Sequence, residues 1–237
     1  MKVLASVAAV VCSLALSCLY GYIVWTDYGL WVIAVCVAMI LSLPISSFIH
    51  ELGHMFFGAL CKIKAVPKFR CFGSSFCRLI PKTSRKLKTR VIITSLGGLF
   101  FNIAVAAVLH SLILFALVPS WLSFIIPSCV YLAVLNIIPA EFYNGKTDGA
   151  ICVELLNNTD TAKVMLAVMA VQAYVLNGVP IERAGRELLF DLPVIREDDM
   201  AFIALCELKS EYFKAAGEND KAEEYRKRFE QLKEEYC

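Results

Sequence analysis

Residues 48–60 read Phe-Ile-His-Glu-Leu-Gly-His-Met-Phe-Phe-Gly-Ala-Leu and close an apolar run that extends from Leu30 to Leu60. His50 and His54 are four residues apart, so on a helix both imidazoles project from one face, with Cβ atoms about 6 Å apart. Two such histidines can bind Zn²⁺ and leave Glu51 free to act as a general base on the attacking water. An ordinary helix can carry the same pattern by chance, with both histidines on its surface. In an apolar span, however, two histidines and a glutamate are costly unless something pairs with them, and a metal ion does so.

The composition is that of a polytopic membrane protein. The 237 residues are 59% hydrophobic, with a mean hydropathy of +0.66, which is too apolar for an ordinary soluble domain. Four runs are long enough, or nearly so, to cross about 30 Å of hydrocarbon at about 1.5 Å per residue. They are Val3–Trp25, Leu30–Leu60, Val91–Val118 and Trp121–Pro139. The first run is too long for the core of a signal peptide and lacks a clear cleavage site, so we interpret it as a retained span.

The charges predict which side of the membrane each loop occupies. Residues 61–90 contain ten Lys or Arg and no acid, whereas residues 140–237 contain 19 acids and 12 bases. A basic block can indicate nucleic-acid binding. Between two spans, however, it fits the rule that positive loops face the cytoplasm, where they also contact anionic lipid. We therefore expect an integral protein of the cell membrane with both termini cytoplasmic and no nucleic-acid partner.

The basic loop contains a hairpin signal and two cysteines. Two short apolar and polar runs flank Gly73-Ser-Ser within residues 69–80, a pattern that favours a β-hairpin, although an irregular basic loop fits nearly as well. Cys71 and Cys77 are a close pair among ten cysteines, none of which forms Cys-x-x-Cys. A zinc or disulfide role for this pair stays open, but free thiols in a reducing compartment fit better.

Three groups of residues together resemble the site-2 protease family of intramembrane zinc metalloproteases. The family's His-Glu-x-x-His is matched by His50, Glu51 and His54. Its Gly-Pro-x-x-Asn stretch, which opens the next core span, is matched at residues 98–102 by Gly-Leu-Phe-Phe-Asn, with Leu in place of Pro. The resemblance covers roughly residues 30–150 and implies a three-helix catalytic core that binds Zn²⁺ and cleaves a membrane protein, typically one with a single span.

The third group departs from the family pattern. The family has Asn-x-x-Pro followed by Asp-Gly, whose Asp is the third zinc ligand, and Asn136 and Pro139 match its first half. At the usual register of the Asp stands Asn144, and Asp148-Gly149 follows four residues later. We expect Asp148 to be the ligand, because a neutral amide is a poor zinc donor, and Glu141 is the remaining candidate.

Three further polar residues lie in or beside the predicted core. By the resemblance, Asn102 and Asn136 would bind the substrate. Asn102 could equally serve as a polar contact between helices. His110 lies about 28 Å along the third span from its inner end, far from the expected metal, so we interpret it as a polar group packed between helices.

The chain after residue 150 is expected to be helical and cytoplasmic. Ala162–Leu176 is apolar, but it is short and contains polar residues, so a core helix is favoured over a further membrane span. Asp198–Ala216 and Asp220–Tyr236 are amphipathic and weakly resemble one helical-hairpin repeat. These helices can simply pack on one another or form a docking surface for a substrate or regulator.

We therefore predict an all-α polytopic membrane protein with about four transmembrane helices. Residues 1–29 form the first span and an outer loop, 30–149 the metalloprotease core with a possible short hairpin in the 61–90 loop, and 150–237 the cytoplasmic helices. The predicted function is an intramembrane zinc endopeptidase. The main alternative is a catalytically silent scaffold or adaptor of the same fold that binds partners through its C-terminal helices. A zinc-dependent transporter would need further ionisable groups along a path, and spans one and three offer almost none.

The topology yields a direct test. Because residues 61–90 carry ten bases and no acid, an impermeant maleimide added to intact cells should not label a single-cysteine variant that retains only Cys71 or Cys77. The same variant should become labelled after permeabilisation. Efficient labelling of intact cells would overturn the predicted topology.

Overall fold

The computed structural model describes residues 2–25, 31–68, 76–142, 145–184 and 186–236. Within these ranges the chain is mostly helical. The helices are α1 Lys2–Trp25, α2 Trp31–Leu60, α3 Leu87–Leu114, α4 Ile125–Ile137, α5 Asp148–Leu156, α6 Asp160–Leu176, α7 Glu187–Phe190, α8 Met200–Ala215 and α9 Asn219–Tyr236. The strands are β1 Ile63–Lys68, β2 Phe76–Pro81, β3 Glu141–Phe142 and β4 Gly145–Lys146. Short 3₁₀-helices occupy Ser120–Phe124 and Ile181–Arg183.

Three helical stretches of the described ranges are long and apolar enough to cross a membrane. They are Ser6–Ile23, Leu87–Leu114 and Ser120–Ile137. Helices α5 and α6 pass the same test only as a pair, and they are bent by 97° at their junction, so the total is three, or four if that pair is one broken span. The predicted run Leu30–Leu60 forms α2, a helix of 30 residues with Pro44 inside it, and its membrane crossing stays a prediction.

Two of the predicted spans have different ends in the structure. The third begins at Leu87 and stops at Leu114 instead of Val118, because Ala116 adopts a positive φ of 53°, a conformation that ends a helix. The fourth starts as a 3₁₀-helix before α4. Five residues at about 2.0 Å and thirteen at about 1.5 Å still give roughly 30 Å of length.

The predicted hairpin of the basic loop is present, with different bounds. Strands β1 and β2 form a two-stranded sheet and begin six residues earlier than the predicted segment 69–80. Residues 69–75, with Gly73 and Cys71, lie outside the described residues.

The chain divides into two compact units. One comprises Met1–Cys61, Ala65–Arg78 and Ile93–Cys152, and the other comprises Lys62–Lys64, Leu79–Ile92 and Val153–Cys237. The first therefore contains α1, α2, α4 and most of α3. The second contains the C-terminal helices α6–α9.

Hydroxyl groups join α2 to α4 inside the first unit. Ser42 Oγ donates to Ser128 Oγ at 2.7 Å, Ser46 also hydrogen-bonds to Ser128, and all three side chains are fully buried. Small hydroxyl residues of this kind let apolar helices approach closely and hydrogen-bond to each other. This contact lies one helical turn before His50 on α2.

In the second unit, an apolar cluster joins α6 to α7 and α8. Val164, Val171, Leu189 and Leu205 are among its buried members. Helix α9 packs on α8 through a separate cluster that contains Cys206 and Leu232. The two C-terminal helices predicted at 198–216 and 220–236 are confirmed to within two residues, and so is the helix predicted at 162–176.

Glycines set the closest approach of α2 to α3. A Cβ atom added at Gly53 would lie 2.3 Å from the carbonyl oxygen of Gly97, and one added at Gly97 would lie 2.7 Å from the carbonyl oxygen of Gly53. Both distances are far below van der Waals contact, and both meet backbone, which cannot rotate away. The two helices therefore hold this separation only because both positions lack a side chain.

Gly53→Ala should force α2 and α3 apart and lower the stability of the protein by about 1–3 kcal/mol or more, the usual cost of overpacking. Thermal unfolding of the purified full chain in detergent measures the change. Ala104→Val is the matched control, because it adds two methyl groups at an exposed position of α3. Equal melting temperatures for Gly53→Ala and Ala104→Val would contradict the packing argument.

Candidate metal centre

Two of the predicted ligands lie on the buried face of α2. His50 and His54 are one helical turn apart, and their ring centroids are 4.7 Å apart with the planes nearly perpendicular. Both residues are buried, at 7% and 5% exposure. Their Nε2 atoms lie 3.1 Å from each other, as expected for two imidazoles at positions i and i+4 of one helix face.

Asp148 brings a carboxylate to the same point from a different element. It is the first residue of α5, and its Oδ2 lies 3.1 Å from His50 Nε2 and 3.5 Å from His54 Nε2. Among the described residues, the side chains that can together hold a metal ion are those of His50, His54 and Asp148. The three ligands predicted from the sequence therefore lie close enough together to hold a metal ion.

A second hairpin lies between α4 and Asp148. Glu141 pairs with Lys146, and Phe142 pairs with Gly145. The backbone N–H of Thr147 donates to the Ala140 carbonyl at 3.0 Å, so the chain returns to its starting point after six residues. Strands β3 and β4 thus close on each other, and Asp148 follows directly after this closure.

Thr147 fixes the position of Asp148 and was not singled out from the sequence. Its Oγ1 donates to the Ile138 carbonyl at 2.8 Å and accepts from the Ala150 backbone N–H at 3.2 Å. The second contact caps the first turn of α5, and the first ties that turn to the end of α4. A threonine directly before an acidic residue at a helix start is a recognisable capping signal, so this role could have been predicted.

Glycines leave the space that the ligands occupy. A Cβ atom added at Gly98 would lie 2.5 Å from the His50 ring, and one added at Gly149 would lie 2.2 Å from the Ile137 carbonyl oxygen. Gly98 is the first residue of the stretch that resembles the family's Gly-Pro-x-x-Asn. Its physical role here is to make room for an imidazole.

Helix α3 contacts the far side of both rings. His54 Nδ1 lies 2.8 Å from the Thr94 carbonyl oxygen, and a carbonyl can only accept, so Nδ1 carries the proton and leaves the Nε2 lone pair free. His50 Nδ1 lies 3.3 Å from the Asn102 side-chain amide. Asn102 is fully buried, and its predicted contact with a substrate stays a prediction.

Glu51 is also buried beside the cluster. It is 4% exposed, and its Oε2 has no hydrogen-bond partner among the described residues. The Cys77 thiol of β2 hydrogen-bonds to the Glu51 carboxylate. Burial, together with the nearby Glu51 and Asp148 carboxylates, raises the pKa of Cys77 to about 12, so this thiol stays protonated at neutral pH. A protonated thiol reacts poorly with maleimide, so Cys71 is the position that decides the labelling test.

Asn136, Glu141 and Cys77 are not members of this three-residue cluster. The Asn136 amide donates to the Leu132 carbonyl of its own helix at 3.0 Å. Glu141 belongs to the β3–β4 hairpin, where its backbone carbonyl accepts from Ser6 Oγ at 2.8 Å, and Asn144 lies outside the described residues. His110 is not a member of the metal cluster and lines an apolar groove together with α4 residues. Cys77 is a free thiol, whereas Cys71 lies outside the described residues.

The chain matches no protein-family model, no curated protein and no solved structure.

The ligand set can be tested by substitution. Asp148→Ala should lose the bound metal, because a carboxylate offsets part of the 2+ charge in a buried site, whereas Asn144→Ala should keep it. Metal analysis of the purified proteins in detergent measures both, with Glu141→Ala as the third arm. Loss of metal in Asn144→Ala but not in Asp148→Ala would refute the assignment, and loss in Glu141→Ala alone would move the ligand there.

Proposed function

We propose that this chain is an intramembrane zinc endopeptidase of the kind that the site-2 protease family represents. One observation carries the proposal: two buried histidines, a partly buried aspartate and a buried glutamate meet inside a bundle of apolar helices. Ionisable groups in such surroundings are costly and mark function by default. The chemistry of these four groups is that of a metal-dependent hydrolase.

The donor set fits Zn²⁺. Histidine nitrogen and carboxylate oxygen bind zinc at about 2.0–2.2 Å, and the two bond lengths imply a ligand–ligand distance of about 3.3 Å in a tetrahedral site. The three ligand atoms of this cluster are separated by 3.1, 3.1 and 3.5 Å. Three protein ligands also leave a fourth position open, which distinguishes catalytic from structural zinc sites.

A buried oxygen without a hydrogen-bond partner also supports a metal ion in this cluster. Asp148 Oδ2 is buried and has no hydrogen-bond partner with acceptable geometry among the described residues, although two ring nitrogens lie close to it. A single proton shared between two of these three atoms would leave the third atom without a donor. Its lone pair would then face the lone pair of a neighbouring acceptor. A cation at the centre satisfies all three at once.

Glu51 would supply the proton chemistry. Its buried carboxylate has one oxygen without a partner among the described residues, and that oxygen would accept a proton from the attacking water and later deliver it to the leaving amine. When bound, zinc would activate that water and polarise the scissile carbonyl. A scaffold protein has no need of such a base, so an intact Glu51 favours the enzyme over the adaptor alternative.

The substrate would be a membrane protein whose scissile bond is freed from its own helix, since a satisfied membrane helix hides its carbonyl groups. The β1–β2 hairpin offers an edge to which an unwound segment can add as a strand. Cys77 of β2 already touches Glu51, so a segment paired with this hairpin would arrive beside the base. In this proposal α2 is the second of four spans, and the site lies near the cytoplasmic side.

Glu51→Gln should abolish cleavage and keep the metal, because it removes the base and spares the ligands. The expected loss is at least about 10²–10⁴-fold, the usual contribution of general base catalysis. Membrane proteins that accumulate with Glu51→Gln in the producing cells identify substrates, and cleavage of such a substrate by the purified enzyme gives the rate.

Asp160→Asn is the matched control, since Asp160 forms an exposed ion pair with Lys163 and is not a member of the cluster, so this substitution should leave the rate unchanged. Cleavage by Glu51→Gln at the wild-type rate would refute the mechanism. Wild-type protein that binds no zinc would instead favour the adaptor.

A further inference from the structure

The two ring nitrogens of His50 face different neighbours. Nε2 faces the cluster, at 3.1 Å from Asp148 Oδ2. Nδ1 faces α3, at 3.3 Å from the amide of Asn102. If Nε2 is to give its lone pair to a metal, the ring proton must be on Nδ1, and Nδ1–H then needs an acceptor.

The amide of Asn102 can be that acceptor. As placed, its Nδ2 faces Nδ1, while its Oδ1 is buried and has no partner among the described residues. The oxygen and nitrogen of an asparagine amide are assigned from the surrounding hydrogen bonds rather than from their shape. A half turn of the amide about its terminal bond places Oδ1 next to Nδ1–H, where this oxygen accepts a hydrogen bond.

We propose that Asn102 is a positioning residue that accepts a hydrogen bond from His50 Nδ1–H and holds this ring in its metal-binding tautomer. The proposal deepens the zinc site described above and rests on it. For His54 the same task is performed by the Thr94 carbonyl at 2.8 Å. One ligand is thus oriented by the backbone of α3 and the other by a side chain of α3, and only the second can be removed by substitution.

Packing around His50 supports this role. Gly98 and Asn102 are four residues apart on α3 and therefore share a helix face. The His50 ring lies so close to Gly98 that an added Cβ would be 2.5 Å from it. Because Asn102 is fully buried, its amide needs partners inside the protein, and the Nδ1 atom of His50 lies within 3.3 Å of it.

Two substitutions separate the possible roles of the amide. Asn102→Leu keeps a similar volume and removes the acceptor. Asn102→Asp keeps an acceptor but loses the ability to donate. If Oδ1 accepts from His50, the Asp variant retains the orientation of the ring and the Leu variant loses it. If Nδ2 donates instead, both variants fail equally.

The experiment measures zinc affinity by competition with a chelator, on wild type, Asn102→Leu, Asn102→Asp and His50→Ala purified as full chains in detergent. Asn102→Leu should bind zinc about 10–100-fold more weakly, the usual cost of losing an outer partner of a metal-bound histidine. Asn102→Asp should bind at least as tightly as wild type, and His50→Ala should lose the metal. Thermal unfolding of the metal-free proteins shows whether the Leu variant is folded, and Asn102→Ala replaces it if it is not.

Equal zinc affinity in wild type and a folded Leu or Ala variant overturns the role of Asn102 and leaves the zinc site intact. Equal losses in the Leu and Asp variants also overturn it, because the amide would then be a donor. Absence of zinc from the wild type refutes the site itself, and the positioning role with it. A weakened Leu variant, together with an Asp variant that binds normally, supports the proposal, since general damage to the fold would not be reversed by a carboxylate.

Discussion

Three acceptor atoms that converge inside an apolar bundle repel one another unless a positive charge lies between them. His50 Nε2, His54 Nε2 and Asp148 Oδ2 lie 3.1–3.5 Å apart, and they are three such acceptors when each ring carries its proton on Nδ1. In water such groups would separate and be hydrated. Here the helices hold them together, so the free energy of folding of this region depends on what occupies the centre. A bound cation would contribute to stability as well as to chemistry.

The convergence requires close backbones. Asp148 reaches the histidines only because Gly149 lets α5 approach the end of α4, and His50 fits only because Gly98 gives it room on α3. The pair Gly53 and Gly97 sets the distance between α2 and α3 for the same reason. In a lipid bilayer, as proposed for this bundle, small residues and buried hydrogen bonds must hold the helices together, because lipid provides no hydrophobic force between them. Ser42, Ser46 and Ser128 supply such hydrogen bonds between α2 and α4.

Much of this could be predicted because it is local. The spacing of His50 and His54 places them on one face of any helix, and the amphipathic period of α8 and α9 defined both within two residues. The C-terminal end of α3 could not be predicted, since it depends on a positive φ at Ala116 rather than on hydropathy. The Asp148 ligand was preferred on charge alone. Its position follows from a six-residue hairpin closed by a backbone hydrogen bond between Thr147 and Ala140. The periodicity of hydrophobic residues does not predict such a closure.

The contacts that orient the ligands were the hardest to predict from the sequence. Nothing in the pattern shows that the Thr94 carbonyl would meet His54, because any residue type offers the same carbonyl group. Asn102 differs, since a buried amide among apolar side chains must find partners for its polar atoms, and its spacing from Gly98 places it on the same helix face as the gap that receives His50. Gly98 and Asn102, four residues apart, therefore act together on the same ligand. The first residue admits an imidazole to the face of α3, and the second is the polar group that this imidazole meets there.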